Sequence, residues 1–303
     1  MSQKNVKNIA ASIRQRLLNL SHKTGEQFDL TLTRYALERL LYRLGNSEWR
    51  DKFLLKGALL FSIWRNAPHR PTRDADFLGF DDPDIAKLEN IFRSLCAMKS
   101  DDDGLEFDPD SVSGKEIREN NAYQGIRIKL QARLEQARIS LQCDIGFGDV
   151  VTPDAVSIEF PVLLDHEPPQ VKAYPVYSVV AEKFQAMVDL GITNSRMKDF
   201  YDIYTLSRSF EFDGLILCEA IQKTFKRRST KLPQDLPVAF RVEFFEDQNK
   251  NRQWQAFLKR NRLEGPEKLA DVVEVLRQFI MPPVSALHDG EYLKVWKPGA
   301  GWD

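Results

Sequence analysis

The sequence predicts an α+β or mixed α/β fold in which a strand-bearing centre lies between two helical lobes. Three observations carry this. Leu37, Leu40, Leu41 and Leu44 recur at helical spacing near the start. Two β-rich runs, AYQGIRIKLQARL and ARISLQCDIGFGD, are separated only by Glu135-Gln136, which suits a two-residue hairpin turn. Helix-period segments resume after Pro168, Pro169 and Pro175. There is no Gly-rich dinucleotide loop and no Walker A sequence, which argues against a doubly wound sheet.

The elements follow in order. Residues 4–23 and 31–45 read as amphipathic helices, the second closed by Gly45 as a C-cap, and residues 1–50 form a helical packing lobe. Residues 52–65, which contain FLLKGALLF, read as a buried helix or as a turn and helix opened by Lys56-Gly57. After a loop with Pro68 and Pro71, RDADFLGF alternates charged and apolar residues as a half-buried strand does. Residues 84–98 return to a helical pattern. Residues 99–121, with SDDDG and DPDSVSGKEIRENN, read as solvated loop with short strands, the DDD run being plain surface. The hairpin completes a core over residues 51–170. Residues 171–303 form a helical C-terminal domain, with helices in VYSVVAEKFQAMVDLG, SRMKDFYDIYTLSRSF, LILCEAIQKTFKRRS and EKLADVVEVLRQFI.

Composition excludes several classes. The net charge of -1 gives no global field for a polyanion, so any such partner must be held by a local basic patch. Cys96, Cys143 and Cys218 are far apart and form no zinc-ligand spacing; an odd, sparse count fits a reducing compartment. The first residues lack a signal-peptide core and no apolar run reaches membrane-spanning length. The expected location is the cytoplasm, with no membrane partner.

The chemistry centres on carboxylates. Asp74 and Asp76 are two residues apart on a predicted strand, so they project to one face while Ala75 and Phe77 point into the core. Either both face water, or a divalent cation relieves their repulsion. Asp144 lies at the end of the predicted strand ISLQCDI. If the two strands are neighbours, three carboxylates meet at one sheet edge. Hard oxygen donors without nitrogen or sulfur select Mg²⁺ or Mn²⁺, the ions that clamp the oxygens of in-line phosphoryl transfer. Lys56-Gly57-Ala58 adds a glycine ahead of a helix, where backbone amides can approach a phosphate; the same glycine also suits an ordinary turn.

Further along, Lys183 leaves the apolar face made by Val179, Val180, Phe184 and Met187. It suits either a phosphate contact or a surface pair with Glu182 or Asp189. Asp199 and Asp202 share a helix face near Arg196 and Lys198, as a surface ion-pair cluster or as groups that orient Lys183. KTFKRRSTK, with Lys223, Lys226, Arg227 and Arg228 around Phe225, suits either RNA phosphates with a stacked base or a helix end complementing its dipole.

Taken together, FLLKGALLFSIW…HRPTRDADF, YQGIRIKL…CDIGFGD and VVAEKFQAMVDLG…SRMKDFYDIY, in that order over about residues 50–206, resemble the AbiEii/AbiGii toxin family of DNA polymerase β-like nucleotidyltransferases. The resemblance implies a minimal nucleotidyltransferase core, a small mixed β-sheet flanked by helices, with a helical C-terminal half. It implies transfer of a nucleotide from an NTP, most often to the 3′ end of tRNA, in a toxin–antitoxin or abortive-infection system with a cognate antitoxin encoded alongside. By the same resemblance, Asp74 and Asp76 are the metal-binding pair and Asp144 a third, more variable acid. Gly57 is the glycine of the first motif, with Ala58 where a Gly or Ser is usual. Arg70 and Thr72 are the basic and hydroxyl positions ahead of the pair, Lys183 holds the triphosphate, and Asp199 is the acid of the last motif. Two other functions fit the same residues. One is nucleotidylation of a protein or phosphorylation of the antitoxin. The other is a degenerate nucleotide-binding module.

Overall fold

The structure is a computed structural model that describes residues 8–65, 72–100, 103–119, 123–290 and 294–303. Helix α1 (Ile9–Thr24) starts where the Asn8 side chain accepts from the Ala11 amide, one of the donors that a first helical turn leaves free. Helix α2 (Phe28–Gly45) follows. Gly45 lies in its last turn and is not the cap; a Cβ there would collide with the Gln170 carbonyl, so glycine is needed for close approach.

The expected α+β fold is present. The first of two compact units takes in Met1–Gly148 and Val156–Ala173. Its mixed sheet is built from β1 (Phe53–Lys56), β2 (Asp74–Gly79), β3 (Leu105–Glu119), β4 (Tyr123–Leu134), β5 (Ala137–Phe147), β6 (Val156–Glu159) and β7 (Gln170–Ala173), in the order β3-β4-β5-β2-β1-β7-β6. Helix α3 (Leu60–Arg65) follows β1 through a single 3₁₀ turn, and α4 (Ile85–Ala97) follows β2. Along β4 and β5 the alternation is strict. Ile126, Ile128, Leu130, Ile139, Leu141, Cys143 and Ile145 are buried, and helices α2 and α4 pack on this side of the sheet.

Three local readings change. Phe53–Lys56 is a strand lying between β2 and β7; its three apolar residues, Phe53, Leu54 and Leu55, are too few to show a period in the sequence. Residues 105–119 are one long strand and not loop. Helix α4 packs against β3, burying Leu105, Phe107 and Val112, while Glu106, Asp108, Ser113 and Lys115 stay exposed, and the polar composition follows. Pro109 sits where the register shifts between Asp108 and Ser113, a place where a missing N–H breaks no ladder bond. Asp103, read as surface, is 1% exposed and accepts from Arg43 Nη1 at 2.6 Å; Asp101 and Asp102 lie outside the described residues.

The second unit takes in Asp149–Ala155 and Tyr174–Asp303. Its helices are α5 (Val176–Leu190), α6 (Met197–Ser209), α7 (Gly214–Arg227), α8 (Val242–Phe245), α9 (Gln248–Asn261) and α10 (Leu269–Asp289), and a small sheet of β8 (Phe212–Asp213), β9 (Val295–Lys297) and β10 (Gly301–Trp302) completes it. The 149–155 segment is tied here by Ser178, whose Oγ accepts from the Thr152 amide and donates to the Thr152 carbonyl. Cys96, Cys143 and Cys218 are free thiols. Among the described residues, no helix is long and apolar enough to cross a membrane.

Candidate active site

The carboxylates meet through strand register. β2 and β5 are parallel neighbours, with Asp76 opposite Asp144 and Asp74 opposite Gln142. Ala75, Phe77, Cys143 and Ile145 are buried at 0–2% exposure, which sends the alternate acids to the other face. Asp74, Asp76 and Asp144 are half-buried, and each offers an oxygen within 4.8 Å of the other two. Among the described residues, no other group of three or more potential metal ligands comes together. The meeting point is the middle of the sheet, not an edge, since β4 flanks β5 and β1 flanks β2.

Each acid is held in place. Thr72 Oγ1 donates to Asp74 Oδ1 at 2.6 Å. Arg127, on β4, grips Asp144 with two bonds, Nε to Oδ1 at 2.8 Å and Nη2 to Oδ2 at 2.7 Å. The Asp144 bond raises the Arg127 pKa further, and the charges of Asp74 and Asp76 act in the same direction. Gln142 lies against the same pair, with its amide oxygen placed to accept from Arg127 Nε at 3.1 Å and Nη2 at 3.2 Å. Lys56 stands opposite Asp76 in the β1–β2 register. Three hard carboxylate donors, fixed by hydroxyl and guanidinium partners and with no nitrogen or sulfur donor among them, fit a divalent cation of the Mg²⁺ or Mn²⁺ type.

Gly57 closes the site from the β1 side. Its φ of +73° suits glycine, and a Cβ built on it would overlap the Asp76 carboxylate. The main chain therefore lies directly against Asp76. Ala58 is 5% exposed, so its methyl is part of the packing. Arg70 lies outside the described residues.

In the second unit, Lys183 sits in the middle of α5. Its Nζ is 2.8 Å from Asp199 and 2.7 Å from Asp202, both on α6. Arg196 Nε lies 2.6 Å from the other Asp199 oxygen. Asp199 and Asp202 are fully buried and Lys183 is 13% exposed, which removes the reading of a surface ion-pair cluster. Burial alone would raise the Asp199 pKa, but the charges of Lys183, Arg196 and Lys198 outweigh it and hold the carboxyl below its ordinary value.

The basic run on α7 is divided. Lys226 and Arg227 are exposed, and Lys223 pairs with Glu219 at 2.6 Å. Arg228 turns inward to Asp149, Glu182 and Gln185. Phe225 is 1% exposed and packs on Phe184, so it offers no face to a base.

Arg127 is the residue that sequence reading passed over. A signal for it existed: a hairpin turning at Glu135-Gln136 pairs Leu134 with Ala137, and counting back along that register puts Arg127 opposite Asp144.

A family model described as nucleotidyl transferase AbiEii toxin, type IV toxin–antitoxin system, matches residues 39–278. The solved structure of JHP933 from Helicobacter pylori is similar in fold, at 13% identity and a TM-score of 0.51, covering 86% of this chain and 94% of that one. A second Helicobacter pylori structure, provisionally described as a nucleotidyltransferase, is 12% identical with a TM-score of 0.49, covering 86% and 96%. No curated protein matches significantly.

Proposed function

The chain belongs to the AbiEii nucleotidyl transferase toxin family, and from that premise we propose that it transfers a nucleotide from an NTP to an RNA acceptor, the 3′ end of tRNA, with Mg²⁺ or Mn²⁺ at the carboxylates. The observation that carries this reading is the convergence of Asp74, Asp76 and Asp144 within 4.8 Å. In the cell it is the cytoplasmic toxin of a pair whose antitoxin is encoded alongside.

Asp74, Asp76 and Asp144 hold the cation. When bound, it supplies charge stabilisation to the attacking and leaving oxygens of an in-line transfer. Thr72 fixes the rotamer of Asp74 through its 2.6 Å bond. Arg127 fixes Asp144 and leaves a positive charge beside three negative ones. Lys56 and the main-chain amides at Gly57 and Ala58 face the phosphates. Lys183, which the family resemblance assigns to the triphosphate, is held within the second unit by Asp199 and Asp202.

The test incubates the protein with each α-³²P-labelled NTP, bulk tRNA and Mg²⁺. Label on tRNA, lost on chelation, is the expected result. Label on protein would favour nucleotidylation of a protein acceptor, and label nowhere would overturn the assignment.

Gly57→Ala probes the same site from the main chain. The added Cβ overlaps Asp76 and the positive φ disfavours alanine by about 1–2 kcal/mol. Displacing a metal-holding carboxylate by about 1 Å is expected to cost roughly 100-fold in transfer. The melting temperature should move by only a few degrees. Full activity in this variant would mean that Asp76 is not held by this contact.

A further inference from the structure

The part of the sheet formed by β3, β4 and β5 has a second face that the core does not use. Lys115 stands opposite Arg127, Ser113 opposite Lys129, Lys129 opposite Gln142, and Arg133 opposite Arg138. By strand alternation these side chains share the face of Asp74, Asp76 and Asp144. Lys115, Lys129, Arg133, Arg138 and Ser140 are exposed. A cleft of about 570 Å³ opens on this face beside Asp74; Arg73, Lys129, Gln131, Ser140 and Gln142 are among the residues that line it.

The charges are arranged along the strands. Arg127 is committed to Asp144. From there Lys129 follows at the cleft, and Arg133 with Arg138 lies near the hairpin turn. The six residues from Asp144 back to Arg138 span about 20 Å at roughly 3.3 Å each. Glu106 and Asp108, on the edge strand β3, stand on this face opposite Arg133 and Gln131. Between the cations stand Ser140, Gln131 and Gln142, neutral groups that can bond phosphate or ribose oxygens. The lysine, arginine, serine and glutamine side chains of this face suit contacts to the backbone of a polyanion.

We propose that this face is the track for the terminal single-stranded nucleotides of the RNA acceptor, with phosphates on Lys129, Arg133 and Arg138 and the chain end in the cleft beside Asp74. The proposal rests on the reading of the carboxylates as a transfer site and adds to it where the acceptor lies. It also accounts for how a chain of net charge -1 holds a polyanion, through one local cationic line.

The test is Lys129→Glu/Arg133→Glu/Arg138→Glu. Binding of bulk tRNA is measured by filter retention across a salt series, NTP binding by calorimetry, and transfer with labelled NTP. The variant is expected to bind tRNA at least about ten-fold more weakly, with a salt slope shallower by about one per lost phosphate contact. NTP binding should match the wild type. Single Lys129→Ala and Arg133→Ala variants, which keep the surface mostly intact, should move in the same direction. Lys223→Glu/Lys226→Glu/Arg227→Glu, on α7, should leave tRNA binding within about two-fold of the wild type, since phosphate contacts made elsewhere set the affinity. Equal tRNA binding by the sheet-face variant and the wild type overturns the proposal, even if transfer to tRNA is observed. A wild type that binds tRNA through this face but transfers nothing to it would overturn the reading of the activity and leave the surface standing.

Discussion

Asp76→Asn is expected to lower nucleotide transfer by about 10³-fold or more while the protein melts within a few degrees of the wild type. Asp76 stands at the centre of the site: opposite Asp144 on β5, opposite Lys56 on β1, and under the main chain at Gly57. Asparagine keeps the shape and fills the same space. It removes a formal charge and one anionic oxygen donor, and several kcal/mol of charge stabilisation in the transition state correspond to a rate loss of this size. The fold loses little, because one of three mutually repelling carboxylates has been neutralised. The readouts are label transfer to tRNA and a thermal melt. Activity above about a tenth of the wild type would show that this carboxylate does not hold the reacting centre.

The largest effect on stability is expected at Lys183. Substitution by methionine leaves Asp199 and Asp202, both fully buried, without the ammonium that bridges them. Removing one partner of a buried ion pair costs about 3–5 kcal/mol, because a charge is left without compensation in a medium that solvates it poorly. For a unit of this size that lowers the melting temperature by roughly 10 °C. The sign with pH follows from Asp199. Its pKa is depressed, so its stabilising contribution is present above the ordinary carboxylate pKa and is lost as pH falls through the folded-state value. The wild type should therefore lose this stabilisation only in acid. Lys183→Met/Asp199→Asn/Asp202→Asn should recover part of the lost stability by removing buried charges that have lost the Lys183 ammonium. It should remain inactive if Lys183 also serves the triphosphate, and an active triple variant would assign the cluster to packing alone.

Much of the site could be read from local pattern. Asp74, Ala75, Asp76 and Phe77 carry the period of a strand, and the structure keeps that alternation. The two-residue turn at Glu135-Gln136 sets the register of β4 and β5, and Arg127 opposite Asp144 follows from it. What local pattern could not supply is adjacency between distant segments. β2 and β5 are parallel partners across more than sixty residues, and no turn geometry announces that pairing. The same limit explains Lys183. Its helix is amphipathic as expected, but the partners that bury it stand on the next helix, beyond Gly191. β3 was hidden for a different reason: an edge strand with one polar face and a proline at its bulge has the composition of a loop. Arg228 and Phe225 carry the residue types of an RNA contact, yet ion pairing to Asp149 and aromatic packing turn them inward.

The most direct measurement is a titration with Mn²⁺, following the electron paramagnetic resonance signal of the free ion, on the wild type and on Asp74→Asn/Asp76→Asn. Carboxylates converging within 4.8 Å at the middle of the sheet should bind the ion, so the wild type should take up at least one Mn²⁺ per chain. The variant should take up none in the same range. Equal uptake by the two proteins, or none by either, would contradict a cation held between β2 and β5.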